Sequence, residues 1–309
     1  MTHAILTGAD AGFFSFLFDT VASVRHACTR PDIRICVFDL GLTDEQRATL
    51  SPLIDAIETP AWDIDFGFST PAEDWRKYVT AGPFARQYFP GHDSYVWIDA
   101  DAWVQTGEAV DLLIAGAMKG RLAICQFADR AYPTAVSGAR VKLWGGLPGL
   151  AGRRRAARTW MHQKFSKYYG RRLANETFFT PSLNAGIWAL PAEAPHWQAW
   201  IDSLNAADFR TPRNLSDQVA LNHAVLTQGL PLELLPAWCN WICVAAAPAY
   251  DRERGLFVEP SLPHHPIGIL HLVDRSKRET YEIATLDGDR ITRTLRPTPA
   301  EIGLDAAPQ

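Results

Sequence analysis

Tyr95-Val96-Trp97-Ile98-Asp99-Ala100-Asp101 is the stretch on which the fold turns. Four apolar residues run straight into two carboxylates, the pattern of a short buried strand that ends at charge. Residues two apart in an extended backbone point to the same side. Asp99 and Asp101 are therefore expected to emerge together at the carboxyl end of the strand, the edge where open α/β sheets hold ligands. No Lys or Arg lies within several residues to neutralise them. Two like charges this close are costly unless one is protonated or a cation binds, and carboxylate oxygens suit hard divalent cations. The alternative is a pair of capping or turn aspartates. Two other Asp-x-Asp pairs lack this context: Asp63-x-Asp65 follows no strand, and Asp287-x-Asp289 sits at a turn where Asp and Gly belong for backbone reasons.

Outward from this strand the chain alternates. Ala4-Ile5-Leu6-Thr7 reads as a strand, Gly8 to Gly12 as a turn and the residues from Phe13 as a buried helix. Ile33 to Phe38 reads as a second strand, Thr43 as the cap of a following helix, and Ile54 to Glu58 as a third short strand. A helical pattern runs from Pro71 to Phe89 and stops at Pro90-Gly91. Beyond the Asp pair come a helix (Ala109 to Met118), strands at Leu122 to Phe127 and Ala185 to Leu190, a helix from Ala192 to Leu204, another from Ser216, and a strand at Gly268 to Leu272. Thr280 to Ile283 and Ile291 to Leu295 flank Asp287-Gly288 as a terminal hairpin. Strands alternating with helices predict an α/β architecture with a largely parallel sheet.

Composition removes several classes. With 30 Lys+Arg against 34 Asp+Glu in 309 residues, the net charge of −4 argues against a surface devoted to nucleic acid. Apolar residues at 47% and charged residues at 21% exclude a disordered profile. No run approaches the roughly 20 apolar residues of a membrane helix, and Met1-Thr2-His3-Ala4 does not read as a secretory signal. Five cysteines read as free thiols in a reducing compartment. Cys239 and Cys243 are four apart but have no Cys/His pair at finger spacing. Cytoplasmic placement is the expectation. The eleven tryptophans suit either a Trp-rich core or stacking against sugar rings.

Residues 130–175 stand apart. Between Arg130 and Arg172 there are eleven Lys or Arg and no Asp or Glu, with Gly145-Gly146, Arg153-Arg154-Arg155 and then Trp160, Met161, Phe165, Tyr168 and Tyr169. Such a stretch is either a solvated insertion or a basic amphipathic surface for something acidic, such as a phosphorylated acceptor or the anionic inner face of a membrane.

Several other residues sit where chemistry is plausible. Asn184 and Gly186 open a strand where a small residue lets a ligand approach the backbone, or simply make a turn. Ser216 can cap the next helix, with Asp217 in its first turn, and Gln218 and Asn222 share a face. His271 ends an apolar strand and would complete a set of two carboxylates and one nitrogen, although a lone His is commonly a hydrogen-bonded core residue. Lys277 can pair with a phosphate as a point charge or stand solvated.

Taken in order, these segments resemble glycosyltransferase family 8, the retaining nucleotide-sugar transferases of the GT-A fold. The resemblance runs through Ile5-Leu6-Thr7-Gly8-Ala9-Asp10 with Phe13, through Ala85-Arg86-Gln87-Tyr88-Phe89-Pro90 into Tyr95 to Asp101, and through Leu183-Asn184-Ala185-Gly186-Ile187-Trp188. It continues in Leu215-Ser216-Asp217-Gln218 to Asn222 and in Leu270-His271 to Lys277, so that it spans residues 4 to 277. It implies a Rossmann-like mixed sheet flanked by helices over residues 1–277, with the basic insertion at 130–175, and a C-terminal hairpin and tail at 278–309. It implies Asp99, Asp101 and His271 as ligands of Mn2+ or Mg2+. Asp10 and Phe13 would lie at the nucleoside, Arg86, Asn184 and Gly186 at the donor sugar, and Lys277 at the diphosphate. Asp217 and Gln218 would flank the anomeric carbon. The implied reaction moves a sugar from a nucleoside-diphosphate sugar, with uridine the expected base, to an acceptor that is a saccharide, a lipid-linked glycan or another group. Two departures touch the diphosphate side: Asp274 stands where the family has Gly, and Arg278-Glu279 replaces Pro-Trp. A nucleotide-sugar phosphohydrolase and a non-catalytic nucleotide- or carbohydrate-binding protein are the alternatives. A dinucleotide oxidoreductase is disfavoured because Gly8-x-x-x-Gly12 lacks the G-x-G-x-x-G spacing.

Overall fold

One strand of the central seven runs against its neighbours, and that reversal shapes the ligand edge. The computed structural model describes residues 1–68, 73–132, 140–143 and 155–304. Gly145-Gly146, Arg153-Arg154 and the tail from 305 lie outside the described residues. In chain order the first elements are β1 (His3–Ala9), α1 (Phe14–Ala27), β2 (Ile33–Asp39), α2 (Asp44–Leu50) and β3 (Ala56–Glu58). Next come α3 (Tyr78–Tyr88), β4 (Ser94–Ile98), β5 (Ala102–Val104), α4 (Glu108–Ala117) and β6 (Leu122–Gln126). A hairpin of β7 (Arg140–Leu143) and β8 (Arg155–Arg158) precedes α5 (Trp160–Tyr168), α6 (Arg171–Glu176), β9 (Leu183–Pro191), α7 (His196–Ala206) and α8 (Asp217–Gln228). The chain closes with β10 (Leu232–Leu235), β11 (Trp241–Ile242), β12 (Ala249–Asp251), β13 (Leu256–Val258), β14 (Ile269–His271), β15 (Thr280–Ala284) and β16 (Arg290–Thr294).

The central sheet has the order β10-β6-β9-β4-β1-β2-β3. β9 is antiparallel to both β4 and β6, and the remaining pairings are parallel. The largely parallel sheet expected from alternation is thus a mixed one. The reversal has a local cause: β9 enters the sheet from the ligand edge after a long excursion, so no crossover precedes it. The chain has the GT-A-type architecture, a central mixed sheet with helices on both faces.

Burial of both sheet faces explains the apolar run of β4, all five residues of which are buried. Val96 and Ile98 pack into one core with α1 and α4, while Tyr95 and Trp97 pack into the other with α3, α7 and α8. The second core is aromatic. Trp188 on β9 stacks on Trp97 with ring centroids 6.3 Å apart and meets Trp197 and Trp200 edge-on at 5.7 and 5.4 Å. Most of the tryptophans are accordingly core residues. Thr43 caps α2 in a reciprocal capping box with Gln46, and the β15–β16 hairpin forms as expected.

α5 buries Met161, Phe165 and Tyr168 in the aromatic core. The apolar face of this basic amphipathic segment is thus spent inside the protein, and this helix does not present it to a membrane. Among the described residues no helix is long and apolar enough to cross one.

Trp188→Ala, which empties the centre of the aromatic cluster, is expected to cost about 3–5 kcal/mol in urea denaturation. Thr43→Ala, which removes only a cap, should cost about 1 kcal/mol. Equal losses for the two would contradict this account of the core.

Candidate active site

The turn after β4 is built by its neighbours. Asp99 N donates to Gly186 O on β9 at 2.8 Å, and Ala102 N returns to Asp99 O at 2.9 Å, so the chain folds back at once into β5. Thr20 of α1 holds the turn from beneath, donating to Ala100 O at 2.8 Å. β14 then pairs antiparallel with β5 in the register that sets His271 opposite Ala102. That register brings His271 to the aspartates: its Nε2 lies 3.3 Å from Asp101 Oδ1 and 3.6 Å from Asp99 Oδ2. Trp97 Nε1 donates to Asp99 Oδ1 at 2.7 Å, and Lys277 Nζ lies 2.7 Å from Asp101 Oδ2.

Electrostatics at the three groups follow from this packing. Burial, reinforced by the Asp101 charge, raises the Asp99 carboxyl above the ordinary range. Burial pushes Asp101 the same way, but His271 and Lys277 outweigh it and hold that carboxyl low. His271 is raised: burial opposes its charge, and Asp101 and Asp99 prevail. The two carboxylates and the imidazole offer ligand atoms all within 4.8 Å of one another, the single such group among the described residues. Two hard oxygens and one imidazole nitrogen fit Mn2+ or Mg2+. The five cysteines are free and take no part.

The other Asp-x-Asp pairs do local work. Asp63 accepts from the Tyr88 hydroxyl at 2.8 Å, and Asp65 from Gly67 N at 2.8 Å. Asp287 and Asp289 pair with Arg252.

β9 supplies the opposite wall. A Cβ on Gly186 would lie 2.3 Å from His271 Cε1 and 2.7 Å from Asp99 Oδ2, so only glycine lets this strand pass the cluster. Asn184 Oδ1 accepts from Gly186 N at 2.9 Å. α8 is tied to the same strand. Gln218 Oε1 accepts from Ala185 N at 3.2 Å, and Asn222 exchanges hydrogen bonds with Leu183 N and O at 2.8 and 3.0 Å. Ser216 caps α8 through Val219 N. Burial pushes the Asp217 carboxyl up to about 6, although the Gln218 N–H works against it. Its charge is felt at Asp99 and at the Tyr78 hydroxyl of α3.

Asp99, Asp101, Asn184, Gly186, Gln218 and His271 line one cleft of about 790 Å³. Its outer wall is apolar, with Phe127, Trp160, Phe178 and Phe179. Phe13 and Lys277 meet beside it, Nζ lying 5.1 Å from the ring centroid. Asp10 lies at the carboxyl end of β1, next to β4 in the sheet, and caps the short turn before α1 by accepting from Phe13 N. Asp274 lines the cleft with φ of 51°, a left-handed conformation that glycine adopts most readily.

One expectation changes. Arg86 is not brought to the cleft: its guanidinium donates to Ala192 O at 3.1 Å, beyond the end of β9 that pairs with Ser94. That is the opposite end of β4 from Asp99, because Arg86 falls in the last turn of α3 and α3 runs away from the ligand edge. Lys277, expected at a phosphate, pairs with Asp101 beside the cleft. Three contributors had no readable signal. Trp97 and Tyr78 look like core aromatics in sequence, and Asn240, whose Oδ1 lies 3.0 Å from His271 Nδ1, falls in the unpatterned run Trp238-Cys239-Asn240-Trp241.

No protein-family model matches this chain, and no curated protein matches it. Solved structures do. The galactosyltransferase LgtC in complex with donor and acceptor sugar analogues is 14% identical, with a TM-score of 0.51 over 88% of each chain. The apo-form glycosyltransferase GlyE of Streptococcus pneumoniae TIGR4 is 15% identical, with a TM-score of 0.53 over 99% of this chain and 61% of that one. At such identity the likeness establishes a shared fold.

Two predictions follow from the geometry. Gly186→Ala should cost about 1–3 kcal/mol in denaturant unfolding, because His271 or Asp99 must move to admit the methyl group; a neutral outcome would contradict the close approach. Asp217 holds its proton more strongly folded than unfolded, so its contribution weakens stability as pH rises from 3.8 through about 6. In EDTA, the thermal midpoint of Asp217→Asn relative to the parent should therefore climb between pH 4.5 and 7.5. A pH-independent difference would refute the burial of this carboxyl.

Proposed function

We propose that the chain is a metal-dependent glycosyltransferase that moves a sugar from a nucleoside-diphosphate sugar, with uridine as the base, to a saccharide, a lipid-linked glycan or another acceptor. The observation that carries this reading is the convergence of Asp99, Asp101 and His271 at the ligand edge of a GT-A-type sheet, inside a cleft large enough for a nucleotide sugar. Mn2+ or Mg2+ held by these three residues would supply Lewis-acid stabilisation of the departing diphosphate.

The chain's own residues have distinct parts. Lys277, next to Asp101 and over Phe13, supplies positive charge for the leaving phosphates. Asp10 and Phe13 stand at the nucleoside end. Asn184 and Gly186 form the wall against which the donor sugar lies, the absent side chain at 186 letting that wall close on His271 and Asp99. Asp217 and Gln218, at the start of α8, face the anomeric carbon and steady an oxocarbenium-like centre. Configuration is retained in this scheme, with the departing phosphate accepting the acceptor's proton. The apolar wall of Phe127, Trp160, Phe178 and Phe179 covers the acceptor side.

Thermal unfolding with a panel of nucleotide sugars, with and without Mn2+, tests this. A donor at about a hundredfold excess over its Kd should add about 2.7 kcal/mol of stability in the metal-dependent arm. Asp101→Asn should abolish that increment and lower transfer roughly 100-fold or more. If Asp101→Asn retains both, the proposal fails.

A further inference from the structure

A chain of buried hydrogen bonds leads from the backbone of β9 to the imidazole of His271, and its polarity is set at one end. Gly186 N–H can only donate, so the Asn184 atom 2.9 Å from it is the carbonyl Oδ1. The Asn240 group facing that same Oδ1 at 3.1 Å must then be its NH2. This turns the Asn240 Oδ1 towards His271 Nδ1, 3.0 Å away. An oxygen there can only accept, so Nδ1 carries a hydrogen and the neutral ring presents its lone pair at Nε2. Nε2 is the nitrogen that faces Asp99 and Asp101. Asn184, Asn240 and His271 are all buried, and water does not compete for these contacts. Asn240 itself is fixed at the backbone: Tyr132 Oη donates to Asn240 O at 3.1 Å and accepts from Ile242 N at 3.0 Å.

We infer that Asn240 is a positioning residue that locks His271 in the Nδ1–H tautomer, so that Nε2 serves as the nitrogen ligand of a divalent cation, and that the Gly186 N–H sets the direction of the lock. This inference rests on the metal reading of Asp99, Asp101 and His271. Asn240 belongs to neither the acidic pair nor the cleft wall, and the network gives it a task that its buried place in the loop before β11 would not reveal. An outer partner of this kind orients the ring and raises its basicity as a ligand.

The test uses the full chain without nucleotide. Nitrogen-15 shifts of the His271 ring in the metal-free protein, recorded at a pH where it is neutral, should show Nδ1 protonated and Nε2 bare. Mn2+ binding followed by electron paramagnetic resonance should weaken about 10- to 100-fold in Asn240→Ala. Asn240→Asp, which keeps an oxygen acceptor for Nδ1–H but sets its second oxygen against Asn184 Oδ1, should restore part of the loss. An Nε2–H tautomer in the parent protein overturns the inference whether or not any variant folds. So does unchanged Mn2+ affinity in a folded Asn240→Ala. If the parent protein takes up no Mn2+, the metal reading falls, and the ring shifts still decide the orientation of His271.

Discussion

Two carboxylates leaving one buried strand on the same side repel each other, and the surroundings of β4 are an answer to that repulsion. Asp99 receives the Trp97 indole N–H, while Asp101 takes the ammonium of Lys277 and the imidazole of His271. None of the cationic partners is near in sequence. They arrive on the last third of the chain: the turn Asp274–Lys277 carries the lysine, and β14 carries His271 in the small sheet of β11, β14 and β5. Its strands are only two or three residues long, too short to add much stability alone. Their function is registration: one residue of slippage between β5 and β14 would turn His271 to the other face. The hydroxyls of Thr20 and Ser23 on α1 brace the same turn, donating to Ala100 O and accepting from Val104 N.

The arrangement also shows why a charged cluster persists at the edge of an apolar core. The aromatic packing of Trp97, Trp188, Trp197 and Trp200 beneath the cleft is rigid and gives the strand ends fixed positions. Against such a platform, burial that would ordinarily neutralise a carboxylate is balanced by opposite charge. The result is one carboxyl held high and its neighbour held low, an asymmetry arising from His271, which lies closer to Asp101, and from Lys277, which pairs with Asp101 alone.

Much of this was legible in the residues. Periodicity placed β1, β2, β4, the capped α2 and the terminal hairpin because each depends on local pattern and turn chemistry. The Asp99–Asp101 pair was readable because an apolar run pointed to it, and the order of motifs suggested His271 as their partner. Long-range facts were not. Strand direction has no local signature, so the reversal of β9 escaped a reading based on alternation. Arg86 was misplaced because sequence proximity to β4 does not say at which end of that strand a helix delivers its side chains. Asn240 was invisible because a buried amide in a loop acts only through partners far away in the chain.

The reversal of β9 has one more consequence. β6 finishes and β9 begins on the same side of the sheet, and Phe127 N joins Ser182 O at 2.9 Å where the two meet. The chain between 128 and 181 is thus a detour in sequence that leaves the sheet and returns to it at adjoining points. Lengthening such a detour twofold costs only about 0.6 kcal/mol of closure entropy. The sheet need not change when the length of the detour does, while α5 stays packed in the aromatic core. What this stretch lends to the cleft wall, Trp160 and Phe178 among it, is in that sense separable from the floor with its two aspartates and histidine.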